Sequence, residues 1–162
     1  MMGRRKALAL ACALGLASGL GTAHAAGRPD FSGTWKLDTL RSEFGQIPGG
    51  RPRARVDVIQ HREPRIRQTL FIDNWSRQDT TVYLYTSDGK PTVNRVGSQD
   101  IRSTVWWEGR ILRLESKTRL LIYDMTLKER WILSADGKVL TMARRVKYPL
   151  GEGEQKLVFR KR

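Results

Sequence analysis

From residue 32 onward, apolar and polar positions alternate with a period of two along most of the chain. Clusters of Gly, Pro and Asp interrupt the alternation. The pattern predicts strands over residues 32–37, 54–61, 65–74, 80–86, 92–96, 101–107, 111–116, 120–133, 139–148 and 156–160. Glu63-Pro64, Asp88-Gly89, Glu108-Gly109 and Asp136-Gly137 are the turns between neighbouring strands. Residues 38–52 carry Gly45, Pro48, Gly49, Gly50 and Pro52, which prevent regular pairing. A long first connection of this kind, at the mouth of a barrel, is either a lid or a loose solvated loop. Residues 149–153 read as a second, polar loop. No segment carries the period of a helix.

Sequential strands with short turns form an antiparallel up-and-down meander. A meander of about ten strands leaves two exposed edges unless it closes on itself. The expected fold is therefore an all-β barrel, with an interior filled by side chains or holding one small ligand. A barrel spanning the outer membrane needs a continuous apolar band facing lipid. Both strand faces here carry charge, as in Arg65/Arg67 and Lys128/Arg130, so the chain is read as not membrane-spanning.

Strand register singles out one polar pair. Over 120–133 the odd positions Leu121, Tyr123, Met125, Leu127, Trp131 and Leu133 are apolar, and Glu129 is the exception. Over 139–148 Leu140, Met142, Val146 and Tyr148 form the apolar side, and Arg144 is the exception. A two-residue turn at Asp136-Gly137 sets Leu133 opposite Leu140, Trp131 opposite Met142 and Glu129 opposite Arg144. The two exceptions then meet on the core face. They are either a buried ion pair or a ligand site in which Arg144 anchors an anionic head against an apolar lining. A turn at Glu108-Gly109 likewise sets Trp107 opposite Arg110, Val105 opposite Leu112 and Trp106 opposite Ile111. The adjacent Trp106 and Trp107 must point to opposite sides, one into the core and one to the surface or rim.

Residues 1–25 read as a secretory leader, with Arg4, Arg5 and Lys6 ahead of an apolar run and Ala23-His24-Ala25 as the cleavage site. The mature protein, residues 26–162, is then a single domain in the periplasm or outside the cell. Losing three basic residues and no acid takes the formal charge from +14 to +11. That balance favours anionic partners. Arg51, Arg53, Arg55, Arg62, Arg65 and Arg67 crowd around the second strand and its turn, offset by Asp57 and Glu63, and Arg160-Lys161-Arg162 adds to them. They form either a solvated basic face or a contact for a phosphate-rich surface.

Cys12 lies in the leader, and His61 is the one histidine after it. This removes thiolate chemistry and any His-rich metal cluster, and makes a Ser-His-Asp triad improbable. His61 is read as a strand-end residue beside the Glu63-Pro64 turn. No enzyme activity, metal or cofactor is expected.

The run FSGTWKLDTLRSEFG resembles the Gly-x-Trp opening of lipocalin-like (calycin) barrels, and more closely that of a family of small secreted bacterial lipocalin-like proteins. DVIQHREPRIR, YTSDGK, WWEGRILRLES, ERWILSADGKVLTMARR and KLVFRKR resemble later blocks of the same family. The resemblance implies a lipocalin-like β-barrel closed at one end by Trp35, and brings no catalytic set. By the same analogy, a basic residue of the last strand packs over the indole, and Arg160 is the expected one. The resulting reading is a monomeric barrel that binds a small apolar or amphipathic ligand, with Trp35, Tyr123, Glu129, Trp131, Met142 and Arg144 as candidate ligand-binding residues. The alternative is a basic module that binds anionic glycolipid or polysaccharide of the cell envelope through its outer surface. No specific nucleic-acid partner is expected.

Overall fold

The computed structural model of the chain describes residues 27–46, 50–120 and 123–162. The residues read as a leader, with Cys12 and the expected cleavage site, lie outside the described residues, as do Pro48, Gly49 and Leu121. The strands are β1 (Gly33–Leu37), β2 (Ala54–Arg62), β3 (Arg65–Asp73), β4 (Gln78–Thr86) and β5 (Pro91–Val96). They continue as β6 (Gln99–Glu108), β7 (Ile111–Leu120), β8 (Tyr123–Leu133), β9 (Val139–Tyr148) and β10 (Gly151–Lys161). Several boundaries differ from the pattern reading, β8 beginning at Tyr123 rather than 120 among them, and two differences are the largest. Residues 117–120 extend β7, because its ladder with β8 runs to the Leu120↔Tyr123 pair. Residues 151–155 are strand and not loop, since β10 pairs with β9 from Gly151↔Tyr148 onward.

All neighbouring strands are antiparallel, in the order β4-β3-β2-β1-β10-β9-β8-β7-β6-β5. The first strand pairs with the last, which rolls the ten-stranded sheet into a nearly closed up-and-down barrel. The seam lies between β4 and β5. The Asp88-Gly89 turn is present, with Gly89 at φ 81, but its flanking strands share no ladder. The turn is tied elsewhere: the Ser87 N–H donates to the Pro64 carbonyl and the Gly89 N–H to the Val105 carbonyl. The Asn94 side chain stands in for one missing rung. Its Oδ1 accepts from the Leu84 N–H at 2.7 Å and its Nδ2 donates to the Leu84 carbonyl at 2.9 Å.

Two hairpins test the register arguments. Around Asp136-Gly137, Leu133↔Leu140, Trp131↔Met142 and Glu129↔Arg144 pair as expected. Around Gly109 the register is shifted by two residues: Trp107 pairs with Leu112, Val105 with Leu114 and Glu108 with Ile111. The turn residues are Gly109-Arg110, and only Gly109 has positive φ. That is the requirement of a II′ turn, which places glycine first. A shift of two preserves the faces. Trp107 points inward against the core and Trp106 outward.

Up-and-down topology gathers the β1–β2, β3–β4, β5–β6, β7–β8 and β9–β10 connections at one end of the barrel. The other end holds the remaining turns and both ends of the folded chain. This second end is solidly closed. Phe31, Trp35, Leu140, Met142 and Phe159 have no exposed surface. The Trp35 indole N–H donates to the Phe31 carbonyl at 2.8 Å. Phe31 meets Trp131 edge-on and stacks beside Trp107 and His61.

The Gly-x-Trp opening has a physical explanation here. Trp35 pairs directly with Lys161, whose ammonium sits 5.3 Å from the indole centroid. Gly33 sits at φ 142, a conformation that side-chain-bearing residues rarely adopt, and a Cβ there would stand 2.6 Å from Cε of Lys161 and push the lysine aside. The cation over the indole is therefore Lys161 and not the expected Arg160. Arg160, one position earlier, has the opposite facing and donates from Nε to Asp38 at 2.9 Å. A contact of the Lys161 type contributes about 0.5–1 kcal/mol.

Candidate functional site

The functional candidate is the barrel interior above this plug. A cavity of about 420 Å³ opens from the middle of the barrel toward the looped end. Its upper walls are apolar: Leu70, Ile72, Ile101, Met125, Leu127 and Val146. Its floor is a belt of polar side chains, Arg55, Gln68, Tyr83, Tyr85, Glu129 and Arg144.

Two ion pairs build the belt. Glu129 is 4% exposed, and its Oε2 accepts from Nε of Arg144 at 2.7 Å. The other carboxylate oxygen of Glu129 accepts from the Trp131 indole N–H. The second pair escaped the sequence reading. Arg55 grips Asp57 with two bonds of 2.7 Å, and Gln68 Nε2 donates to the same carboxylate at 2.8 Å. Arg55 also lies over the Phe159 ring, 5.2 Å from its centroid.

Arg55 and Asp57 were expected in the basic surface patch, and both are buried. Cross-strand pairing explains the inversion. Trp35 points inward and pairs with Asp57, and directly opposed residues share a face. Asp57, and with it Arg55 and Ile59, must therefore face in. Val56 and Val58, the valines that make this strand look amphipathic, face out. The signal available in the sequence was the register imposed by Trp35.

The belt leaves donors over. Asp57 and Glu129 accept from three and two groups respectively. Arg144 uses only Nε, and among the described residues neither of its terminal nitrogens donates to a protein acceptor. Among the described residues no wholly buried polar side-chain atom lacks a partner. The Arg144 terminal nitrogens therefore keep some exposure, and Arg144 is part of the cavity lining. Burial pushes the Tyr83 phenol above its ordinary value and the Tyr85 phenol well above it. Both are neutral hydroxyls at any physiological pH. The interior is thus electrically balanced, with surplus N–H and O–H groups directed at whatever fills it.

The six candidate residues fall into three places. Glu129 and Arg144 lie together on the cavity floor. Trp35, Trp131 and Met142 belong to the closed end, where Trp131 orients Glu129 and the other two fill space. Tyr123 opens β8 at the looped end and is half exposed, outside the cavity lining.

The connection expected as a lid is partly pinned. Glu43 pairs with Lys156 on β10, and Phe44 packs against the core. Gly45, at φ 56, lies so close to Glu154 that an added Cβ would stand 2.0 Å from its carbonyl oxygen. Phe44, Gly50 and Pro52 complete the cavity wall.

At the closed end Glu63 is a hub that the sequence reading also missed. Its Oε1 faces His61 Nε2 at 2.9 Å and accepts from the Trp107 indole at 2.8 Å. Its Oε2 accepts from Ser87 at 2.6 Å and from Arg28 at 3.3 Å. Burial pushes the Glu63 carboxyl up. Hydrogen bonds from Ser87, His61 and Trp107 outweigh that and hold it below the usual carboxylate value.

Known structures share this architecture. The crystal structure of zebrafish ileal bile acid-binding protein, complexed with cholic acid, matches at 16% identity and TM-score 0.57 over 82% of this chain and 98% of that one. A secretory abundant heat soluble protein from Ramazzottius varieornatus matches at 12% identity and TM-score 0.59, covering 81% of this chain and 94% of its own. Secretory abundant heat soluble protein 4 from the same organism matches at 11% identity and TM-score 0.51, covering 84% and 96%. At these identities the likeness is one of fold. No family model matches the chain, and no curated protein does.

Proposed function

We propose that the protein is a non-enzymatic binding barrel whose cavity holds one small amphipathic molecule, with its hydrogen-bond-accepting head on Arg144 and its apolar body along the upper walls. The observation that carries this reading is Arg144, which lines a cavity of about 420 Å³ with apolar side chains above a polar floor and whose terminal nitrogens have no protein acceptor among the described residues. A carboxylate or similar acceptor suits them, because guanidinium forks bind such groups with two parallel bonds. Tyr83 and Tyr85 offer further hydroxyl donors. At about 30 Å³ per water-sized group, the cavity holds a ligand of roughly fifteen non-hydrogen atoms. The bile acid in the zebrafish protein supports the general idea of an occupied barrel. It does not identify this ligand.

The leader-like residues 1–25 and the block resemblances support a place among small secreted bacterial lipocalin-like proteins, with the mature chain in the periplasm or outside the cell. Native mass spectrometry of protein purified without denaturation tests the reading. A bound mass that leaves on denaturation is the expected result. Met125→Trp, which fills the cavity, should abolish that mass. Arg144→Met should reduce it at least tenfold for a ligand with an anionic head. A persistent apo mass in the wild type would refute interior binding.

A further inference from the structure

The outside of the barrel has two unlike walls. Along β6–β10 several outward cations are held by acids, Arg113 by Glu108, Lys128 by Glu115, Arg145 by Glu154 and Lys156 by Glu43, while Arg102, Arg130 and Lys147 stand apart from one another without such a partner among the described residues. Along β2–β4 the ladder stacks Val56 beside Phe71, Thr69 beside Val82, Arg67 beside Leu84 and Arg62 beside Arg65. Phe71, Val82 and Leu84 are 45%, 36% and 54% exposed. These rows contain no acid, and the one outward acid of the three strands, Asp73, lies at their looped end beside Arg53. Among the described residues Arg62, Arg65 and Arg67 make no ion pair. Arg62 and Arg65 also face each other directly, and like charges so placed repel unless an anion lies between them.

We propose that this β2–β4 wall docks on an anionic phospholipid surface, with Phe71, Val82 and Leu84 entering the headgroup boundary and Arg62, Arg65 and Arg67 binding its phosphates. A second copy of the chain is a poor occupant. A two-fold interface would set arginines against arginines, and the opposite wall keeps its acids paired. Arginine suits the headgroup layer because its apolar stem follows the side chains inward while the guanidinium stays with phosphate. The surface is separate from the cavity, so the proposal stands or falls apart from interior binding.

Co-sedimentation with vesicles of mixed phosphatidylglycerol and phosphatidylcholine, against pure phosphatidylcholine, tests it. The protein should bind the anionic vesicles and leave the neutral ones, and should release at about 1 M salt, where charges are screened beyond about 3 Å. Replacing Arg62, Arg65 and Arg67 together by Ser should weaken binding roughly a hundredfold, at about fivefold per charge. Leu84→Ser should weaken it further, while Arg113→Ser on the paired wall and Arg144→Met in the cavity should not. All the arginines replaced on the docking wall are exposed, and an unchanged far-UV spectrum and melting point would confirm that the fold is kept. If the triple variant is misfolded, Arg65→Glu alone carries the test, with a loss of at least fivefold expected. No binding to anionic vesicles, equal binding to neutral ones, or undiminished binding of the arginine variants would overturn the proposal.

Discussion

The two ends of this barrel are made of similar residues used in opposite ways. Each has tryptophan, arginine or lysine, glycine and an acid. At the closed end Trp35 has no exposed surface, its N–H is bonded, and Lys161 covers its face. At the looped end Trp75 is 76% exposed and sits at φ 67, a backbone conformation that costs a non-glycine residue about 1–2 kcal/mol. Arg53 over its ring, 5.9 Å from the centroid, is its main company. The closed end is where the fold is held, and the looped end is where the fold can tolerate change. A cavity can open only toward the end that the core does not need.

Substitutions can break this contrast or sharpen it. Trp35→Ala should cost about 3–5 kcal/mol in urea unfolding, the range for losing a large buried aromatic. Ile72→Ala, on the cavity wall, should cost about 1 kcal/mol because the space beside it is already empty. Equal losses would show that the cavity is filled by packing. Next in size is the belt between the ends. Asp57→Ala leaves Arg55 buried without its anion and should cost about 3 kcal/mol, whereas the double change Arg55→Met with Asp57→Leu should recover most of it.

Acid should loosen the closed end. A carboxyl held below its unfolded value of about 4.3 gives stability that is present above that pH and lost as pH falls through the folded value. Glu63 is such a group. Lowering the pH below about 4 should therefore loosen the contacts of Arg28, Ser87 and Trp107, read as a change in Trp fluorescence. Glu63→Gln should remove that part of the acid transition.

The seam should respond more mildly. Asn94→Ala should cost about 1 kcal/mol and speed amide exchange at Leu84, leaving the closed end protected. Smallest of all, Trp75→Gly should be neutral or stabilise by up to about 1 kcal/mol by relieving the positive φ. That a tryptophan can be discarded at one end and not at the other is the sharpest form of the comparison.

The sequence reading reached the architecture because turns and alternation are local. Asp136-Gly137 fixes one hairpin, and from it the Glu129–Arg144 contact follows by counting. Gly109 shows the limit of counting: glycine belongs first in a II′ turn, which moved the register by two and spared the faces. The buried Arg55–Asp57 pair was not legible from β2 alone. Alternation tells which residues share a face and does not say which face is inside. Only the pairing of Trp35 with Asp57 decides that, and it joins strands separated by a long connection. The seam was hidden for a similar reason. An Asp-Gly turn specifies how the chain reverses, while Pro64 and Val105, distant in sequence, specify where the reversed strands go.

The pairing of β1 with β10 has a consequence in time. Synthesis runs from the amino end, so Trp35 exists long before the strand that covers it. Strands β1 to β4 can hook together in sequence as they appear, and β5 to β9 likewise, as two separate runs with the seam between them. The ring cannot join until residue 161 is available, because Lys161 is the partner of Trp35. Until then β1 keeps one edge bare, and the growing chain carries a template for other strands to join. The residues of β10 are thus the step on which completion waits, and the slow, long-range contact that sets how long the nascent protein must be kept from its neighbours.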